Sequence, residues 1–121
     1  MTTATLAQLQ IPIACDMTAI AADQREAHVA RAKRLLDSEF EERYELPDGY
    51  AWRFSADRYD EVCTFVGNER RCCPFLTFTL EVASGAGPIW LRITGSAEGK
   101  AALLAGIDEL PKVGLEHRAE R

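Results

Sequence analysis

The residues of this chain best suited to chemistry are its four cysteines, at positions 15, 63, 72 and 73. Two are adjacent, in the stretch Glu69-Arg70-Arg71-Cys72-Cys73-Pro74-Phe75. Pro74 disfavours helical dihedrals at Cys73, so a helix reaching this point ends near Cys72. The two sulfurs then point in different directions. Soft ions such as Hg(II), Cu(I) and Zn(II) prefer thiolate sulfur to carboxylate oxygen. Two local thiolates and one from elsewhere make a low-coordination site for such an ion. The candidate third ligand is Cys15, and Asp16 beside it is a candidate oxygen ligand or proton carrier. The expected metal set is therefore Cys15, Cys72 and Cys73, supported by Asp16, Glu69 and Arg70. Arg70 and Arg71 favour the thiolate form, and the carbonyls of a helix C-terminus oppose it.

Each of these residues also has a plainer role. Free cysteine is often a small buried hydrophobe. Cys63 lies beside Val62 and Val66 on an apolar stripe and reads as core filler, silent towards metals. Cys15 alone in a strand carries little signal, and Cys72 and Cys73 divide between packing and chemistry. Glu69 and Arg70 read as an ion pair. His28 and His117 lack a ligand partner four residues on and read as solvent residues. The four cysteines do not follow C-x2-C…C-x2-C, so a zinc ribbon is not indicated. A disulfide between neighbours closes a small strained ring and suits a redox state better than a staple.

The bulk properties narrow the setting. A chain of 121 residues, 47% hydrophobic and 27% charged, is one ordinary domain with its own core. Its net charge of −5 argues against nucleic acid and anionic membranes as partners. No basic leader followed by an apolar run is visible, and no apolar run approaches the ~20 residues of a membrane span. The expected setting is a reducing cytoplasm with free thiols. No organic cofactor is indicated, and the expected partner is a metal ion or small thiophilic ligand.

The elements that must position the sulfurs follow from periodicity. Gln10–Cys15 reads as a short strand, with Pro12 favouring an edge. A helix is expected over about 22–40, with Asp23 and Glu26 as a capping box and Val29, Ala32, Leu36 and Phe40 as its buried stripe. Two aromatic-rich runs, 43–46 and 50–54, flank Pro47-Asp48-Gly49 and predict a hairpin. Ser55 is a candidate cap for a helix over about 56–71. Leu76, Phe78, Leu80 and Val82 alternate with polar residues as a strand. Ser84–Pro88 turns it back into Ile89, Leu91 and Ile93, whose other face carries Trp90 as a candidate groove aromatic. Gly85-Ala86-Gly87 reads as a hairpin tip and not a phosphate loop, since no helix follows it directly. Ser96 caps a last helix to about 110, with Leu103, Leu104, Ile107 and Leu110 buried. The order β-α-β-β-α-β-β-α gives an α+β domain over about 10–110, an antiparallel sheet packed with helices. It is either ferredoxin-like or two β-rich halves, each closed by a helix. Residues 1–9 and 111–121 read as poorly ordered ends.

The stretches ERRCCPFLTFTLEV and GPIWLRITGSAEGKAALL, with CDMTAIAADQREAH and ELPDGYAWRF, carry a likeness over about residues 13–108. Together they resemble a family of small, functionally uncharacterised bacterial proteins from heavy-metal-resistance gene neighbourhoods, those for mercury in particular. Carried over by position, the resemblance implies a role for Cys15, Glu69, Arg70, Cys72, Cys73, Pro74 and Phe75, and none for Cys63.

Three function classes stand at this point. The first is a cytoplasmic soft-metal-binding protein. The second is a thiol enzyme acting on disulfides or on organometal carbon. The third is a small interaction domain in which the cysteines only pack. Geometry discriminates: a shared site needs the Cys15 sulfur close to those of Cys72 or Cys73.

Overall fold

The computed structural model describes residues 13–108. The hairpin at Pro47-Asp48-Gly49 joins β1 (Glu42–Leu46) to β2 (Gly49–Phe54). The turn after Ala83 joins β3 (Thr77–Val82) to β4 (Ile89–Thr94). Gly85 and Ala86 at its tip adopt φ of 66° and 56°. The two hairpins meet through β2 and β4, so the sheet order is β1-β2-β4-β3 with every pair antiparallel. This is the two-hairpin arrangement. The interleaved strand order of a ferredoxin-like sheet does not occur among the described residues.

Period-2 alternation gives the sheet one apolar face. Tyr50, Trp52 and Phe54 of β2 stand opposite Ile93, Leu91 and Ile89 of β4, and all six are buried. Helices cover this face. On the other face Tyr44 of β1 stacks across β2 on Trp90 of β4, 5.6 Å between centroids, so Trp90 is half-buried. Gly49 is required where β2 meets β4: a Cβ there would sit 1.9 Å from the Ile93 carbonyl oxygen.

Three helices form the covering layer. The first, α1 (Arg25–Lys33), follows a 3-10 turn at Ala22–Gln24 and runs out through a π turn at Arg34–Ser38. The second, α2 (Tyr59–Cys72), links the hairpins, and α3 (Ala97–Asp108) closes the described chain. Ser96 Oγ accepts the Gly99 N–H at 3.0 Å and caps α3 as expected. Lys100 anchors α3 to the first hairpin, donating to the Leu46 carbonyl at 2.7 Å and to Glu45 at 2.8 Å.

Several expectations change. Residues 13–15 form no strand, and 10–12 lie outside the described residues. No capping box forms at Asp23; Ala21 precedes the 3-10 turn and gives no side-chain cap. Ser55 likewise makes no cap bond to the backbone. The expected stripe holds at Leu36, with Ala32 and Phe40 partly buried against the core, but at its start His28 is buried and Val29 is 42% exposed. The cause is the π turn, closed by Glu39 N–H to the Arg34 carbonyl at 2.8 Å. Its i→i+5 bonding breaks the 3.6 period that linked Val29 to Leu36, and it buries Leu35, Leu36 and Asp37 together. Leu104 is 36% exposed while Leu103 and Ile107 are buried. On the edge strand β3, Phe78 and Leu80 are only partly buried and Val82 is 53% exposed, because the helices centre over β2 and β4. The expected tails, 1–9 and 111–121, and His117 lie outside the described residues.

Candidate functional site

The last turn of α2 carries Glu69, Cys72 and Cys73. The helix ends where Pro74 requires it to: Cys73 leaves the α region at φ −123°, ψ 70°, its N–H still bonded to the Glu69 carbonyl at 2.8 Å. Pulled round in this way, Cys72 and Cys73 are both buried, and their sulfurs lie 3.5 Å apart.

Cys15 comes from the loop ahead of α1. That loop is held to the end of α2 by the Asp16 N–H, which donates to the Cys72 carbonyl at 2.8 Å. Arg25 supports it from below, its Nε donating to the Met17 and Ile20 carbonyls, each at 2.9 Å. The Cys15 and Cys73 sulfurs are joined as a disulfide across 58 residues of chain. The expectation of free thiols throughout therefore does not hold for this pair, and the strained bond between neighbours does not form. Cys15, Cys72 and Cys73 offer three sulfurs within 4.8 Å of one another, a group able to hold a metal ion. Cys63 belongs to no such group among the described residues; it is half-buried, one turn from Tyr59.

Behind the sulfurs stands a second group, His28, Glu69 and Cys72. His28 Nε2 lies 2.7 Å from Glu69 Oε1, and its ring stacks on Phe65 at 5.6 Å. Its Nδ1 is buried with no hydrogen-bond partner among the described residues. Glu69 Oε2 is 3.4 Å from Cys73 Sγ, and Oε1 is 3.9 Å from Cys72 Sγ. Glu69 thus faces the sulfurs and the imidazole, and its expected pairing with Arg70 gives way to His28.

The electrostatics run against the expectation from the arginines. Burial, and then the Glu69 charge, push the Cys72 thiol up to about 12. Arg70 is exposed, and Arg71 donates to Asn68 Oδ1 at 3.1 Å, so both basic side chains are turned elsewhere. Asp16 is likewise engaged: it caps the 3-10 turn Met17–Ala19, accepting from the Thr18 N–H at 3.0 Å, and its bonds to Thr18 lower its pKa.

A cleft of about 250 Å³ begins at the sulfurs and runs between α1 and α3. Ala32 and Leu36 form one wall, Leu103 and Ile107 the other, and Phe75 and Leu76 the floor. Cys15 and Gly106, also in its lining, are exposed, so the cleft is reachable from solvent.

His28 is the site residue that the sequence concealed. The signal lay in phase on α2: Glu69 shares a helical face with the buried Phe65, four residues earlier, and it is on Phe65 that His28 stacks.

No protein-family model, no curated protein and no solved structure matches this chain. No described helix is long and apolar enough to cross a membrane.

Proposed function

We propose that the reduced protein is a trap for a soft, thiophilic metal ion, held by Cys15, Cys72 and Cys73. The observation that carries this reading is the convergence of three sulfurs, from a loop and a helix end far apart in sequence, within 4.8 Å. Two sulfurs on one ion with bonds near ~2.3 Å stand roughly 3.5–4 Å apart, which matches the 3.5 Å between Cys72 and Cys73. Loading requires the Cys15–Cys73 disulfide to open. A dithiol reductant supplies the two electrons and two protons and leaves as its own disulfide. Such reductants keep cytoplasmic thiols reduced, and a cytoplasmic heavy-metal-resistance role, mercury above all, agrees with the resemblance. The ion displaces thiol protons as it binds. Glu69 is the carboxylate nearest the sulfurs, and His28 stands directly behind it, so the pair forms the exit for those protons.

A thiol–disulfide enzyme is the second reading, favoured by the Cys15–Cys73 disulfide with a third sulfur beside it. Its weakness is the thiol. With Cys72 pushed up to about 12, only about one molecule in 10⁵ carries the thiolate at pH 7, and the thiolate is the nucleophile.

The test is native mass spectrometry of phosphine-reduced, desalted protein titrated with Hg(II), Cu(I) and Zn(II). One equivalent is expected to bind, to be lost in Cys72→Ser and Cys73→Ser, and to persist in Cys63→Ser. If none of the three ions binds, the reading fails.

A further inference from the structure

The sulfurs open onto an apolar cleft, and that is a poor surrounding for a bare ion. Three thiolates around a divalent cation leave one net negative charge, and around a monovalent cation two. Glu69 adds a carboxylate at the same place, and Arg70 and Arg71 are turned away. Burying uncompensated charge is costly. A ligand whose adduct with the thiols is neutral avoids that cost and uses the cleft.

Resting on the thiol-trap reading, the geometry points to a ligand that is a soft electrophilic centre bearing one apolar organic group. The centre bonds to two sulfurs of the set Cys15, Cys72 and Cys73, and the organic group lies between α1 and α3. Mono-organyl trivalent arsenic is the type. In R–As(OH)₂ two As–O bonds break and two As–S bonds form with two cysteine thiols. The two thiol protons leave in two waters, the oxidation state is unchanged, and the adduct is uncharged. Opening the disulfide beforehand takes the same dithiol reductant named above.

Size supports the assignment. An apolar cavity of about 150 Å³ holds benzene, and the cleft here is about 250 Å³. A phenyl ring fits, with room left for the soft atom at the sulfur end. Its walls are alkyl and aromatic: Ala32 and Leu36, Leu103 and Ile107, with Phe75 and Leu76 beneath. Burying a ring of this size favours phenyl over methyl by about 10–100-fold.

The test compares phenylarsonous acid, methylarsonous acid and arsenite on reduced full-length protein, each affinity normalised to that for a small free dithiol, which has no cleft. Bound equivalents are counted by native mass spectrometry. A normalised phenyl-over-methyl preference of at least 10-fold is expected. Ala102 of α3 also lines the cleft, so Ala32→Leu and Ala102→Leu, which fill it from opposite walls, are each expected to shrink that ratio. Equal normalised affinities for phenyl and methyl in the natural chain overturn the inference while leaving the thiol trap standing, since arsenite and Hg(II) still bind. Failure of all three arsenicals together with Hg(II), Cu(I) and Zn(II) overturns both.

Discussion

Cys63 and Cys72 lie on one helix, nine positions apart, in opposite circumstances. Cys63 is half-buried one turn from the helix start, and among the described residues no second sulfur or acid–imidazole pair joins it. Cys72 is buried at the helix end, 3.5 Å from one sulfur, with Glu69 and His28 behind it. Both are free cysteines of α2. The difference arises at Pro74, which ends the helix and lets a distant loop close over it. Convergence at a terminus, and not residue type, separates a candidate site from filler.

The largest effect that bears on this contrast is metal affinity. Outer partners of a metal site are worth about 10–100-fold, and a lost ligand is worth more. Cys73→Ser is expected to weaken Hg(II) binding by more than about 100-fold, because serine oxygen is a poor ligand for a soft ion. Cys63→Ser is expected to leave it within a factor of about two. Competition titration on reduced protein reads both. Equal losses in the two variants would erase the distinction between the sites.

Much of the scaffold was legible in the sequence. The alternation in β2 and β4 is written in Tyr50, Trp52 and Phe54 and in Ile89, Leu91 and Ile93, because a strand's period of two survives any context. Ser96 announced its helix for the same local reason. What failed was depth and phase. Leu80 alternates as well as Leu91 does, but β3 is an edge strand beyond the reach of the helices. Val29 lost its place to His28 because a π turn, which carries no sequence signature here, altered the helical phase. The cluster of thiols was readable in type from Cys15, Cys72 and Cys73. Its electrostatics were not, since the side-chain directions of Arg70 and Arg71 depend on packing around Asn68 and on solvent.

Alkylation sharpens the contrast next. A thiol raised from 9.0 to about 12 loses roughly 1000-fold in thiolate fraction at neutral pH, and its greater nucleophilicity restores about 20-fold. In the disulfide-bonded protein, where Cys63 and Cys72 are the free thiols, Cys72 is therefore expected to react with iodoacetamide about 50-fold more slowly than an ordinary thiol at pH 7.5, before burial slows it further. Cys63, reachable from solvent, is expected to label first. The sign of the pH dependence follows from the raised value: the protonated form persists through neutrality, so the Cys72 rate climbs about tenfold per pH unit towards about 12. The proton held on Cys72 stabilises the fold below about pH 9, and that contribution fades between about 9 and about 12. Site-resolved mass spectrometry across pH 7–10 checks the labelling order, and rapid labelling of Cys72 at pH 7 would contradict it.

The smallest effect isolates Glu69. Its charge is the second cause, after burial, of the raised Cys72 thiol, and Gln at this position keeps the shape while removing the charge. Glu69→Gln leaves burial in place, so the thiol is expected to remain above its ordinary range but lower than in the natural chain. Each unit of pKa relieved raises labelling at neutral pH by only about 3-fold, because the gain in thiolate is partly offset by lost nucleophilicity. The expected rise for Cys72 is about 2–5-fold, with Cys63 unchanged. His28 keeps a partner in this variant, since the Gln carbonyl oxygen can accept from Nε2, so a general loosening of the α1–α2 contact would betray itself by faster labelling at Cys63 as well. No change at Cys72 would mean that Glu69 serves His28 alone and that burial sets the thiol by itself.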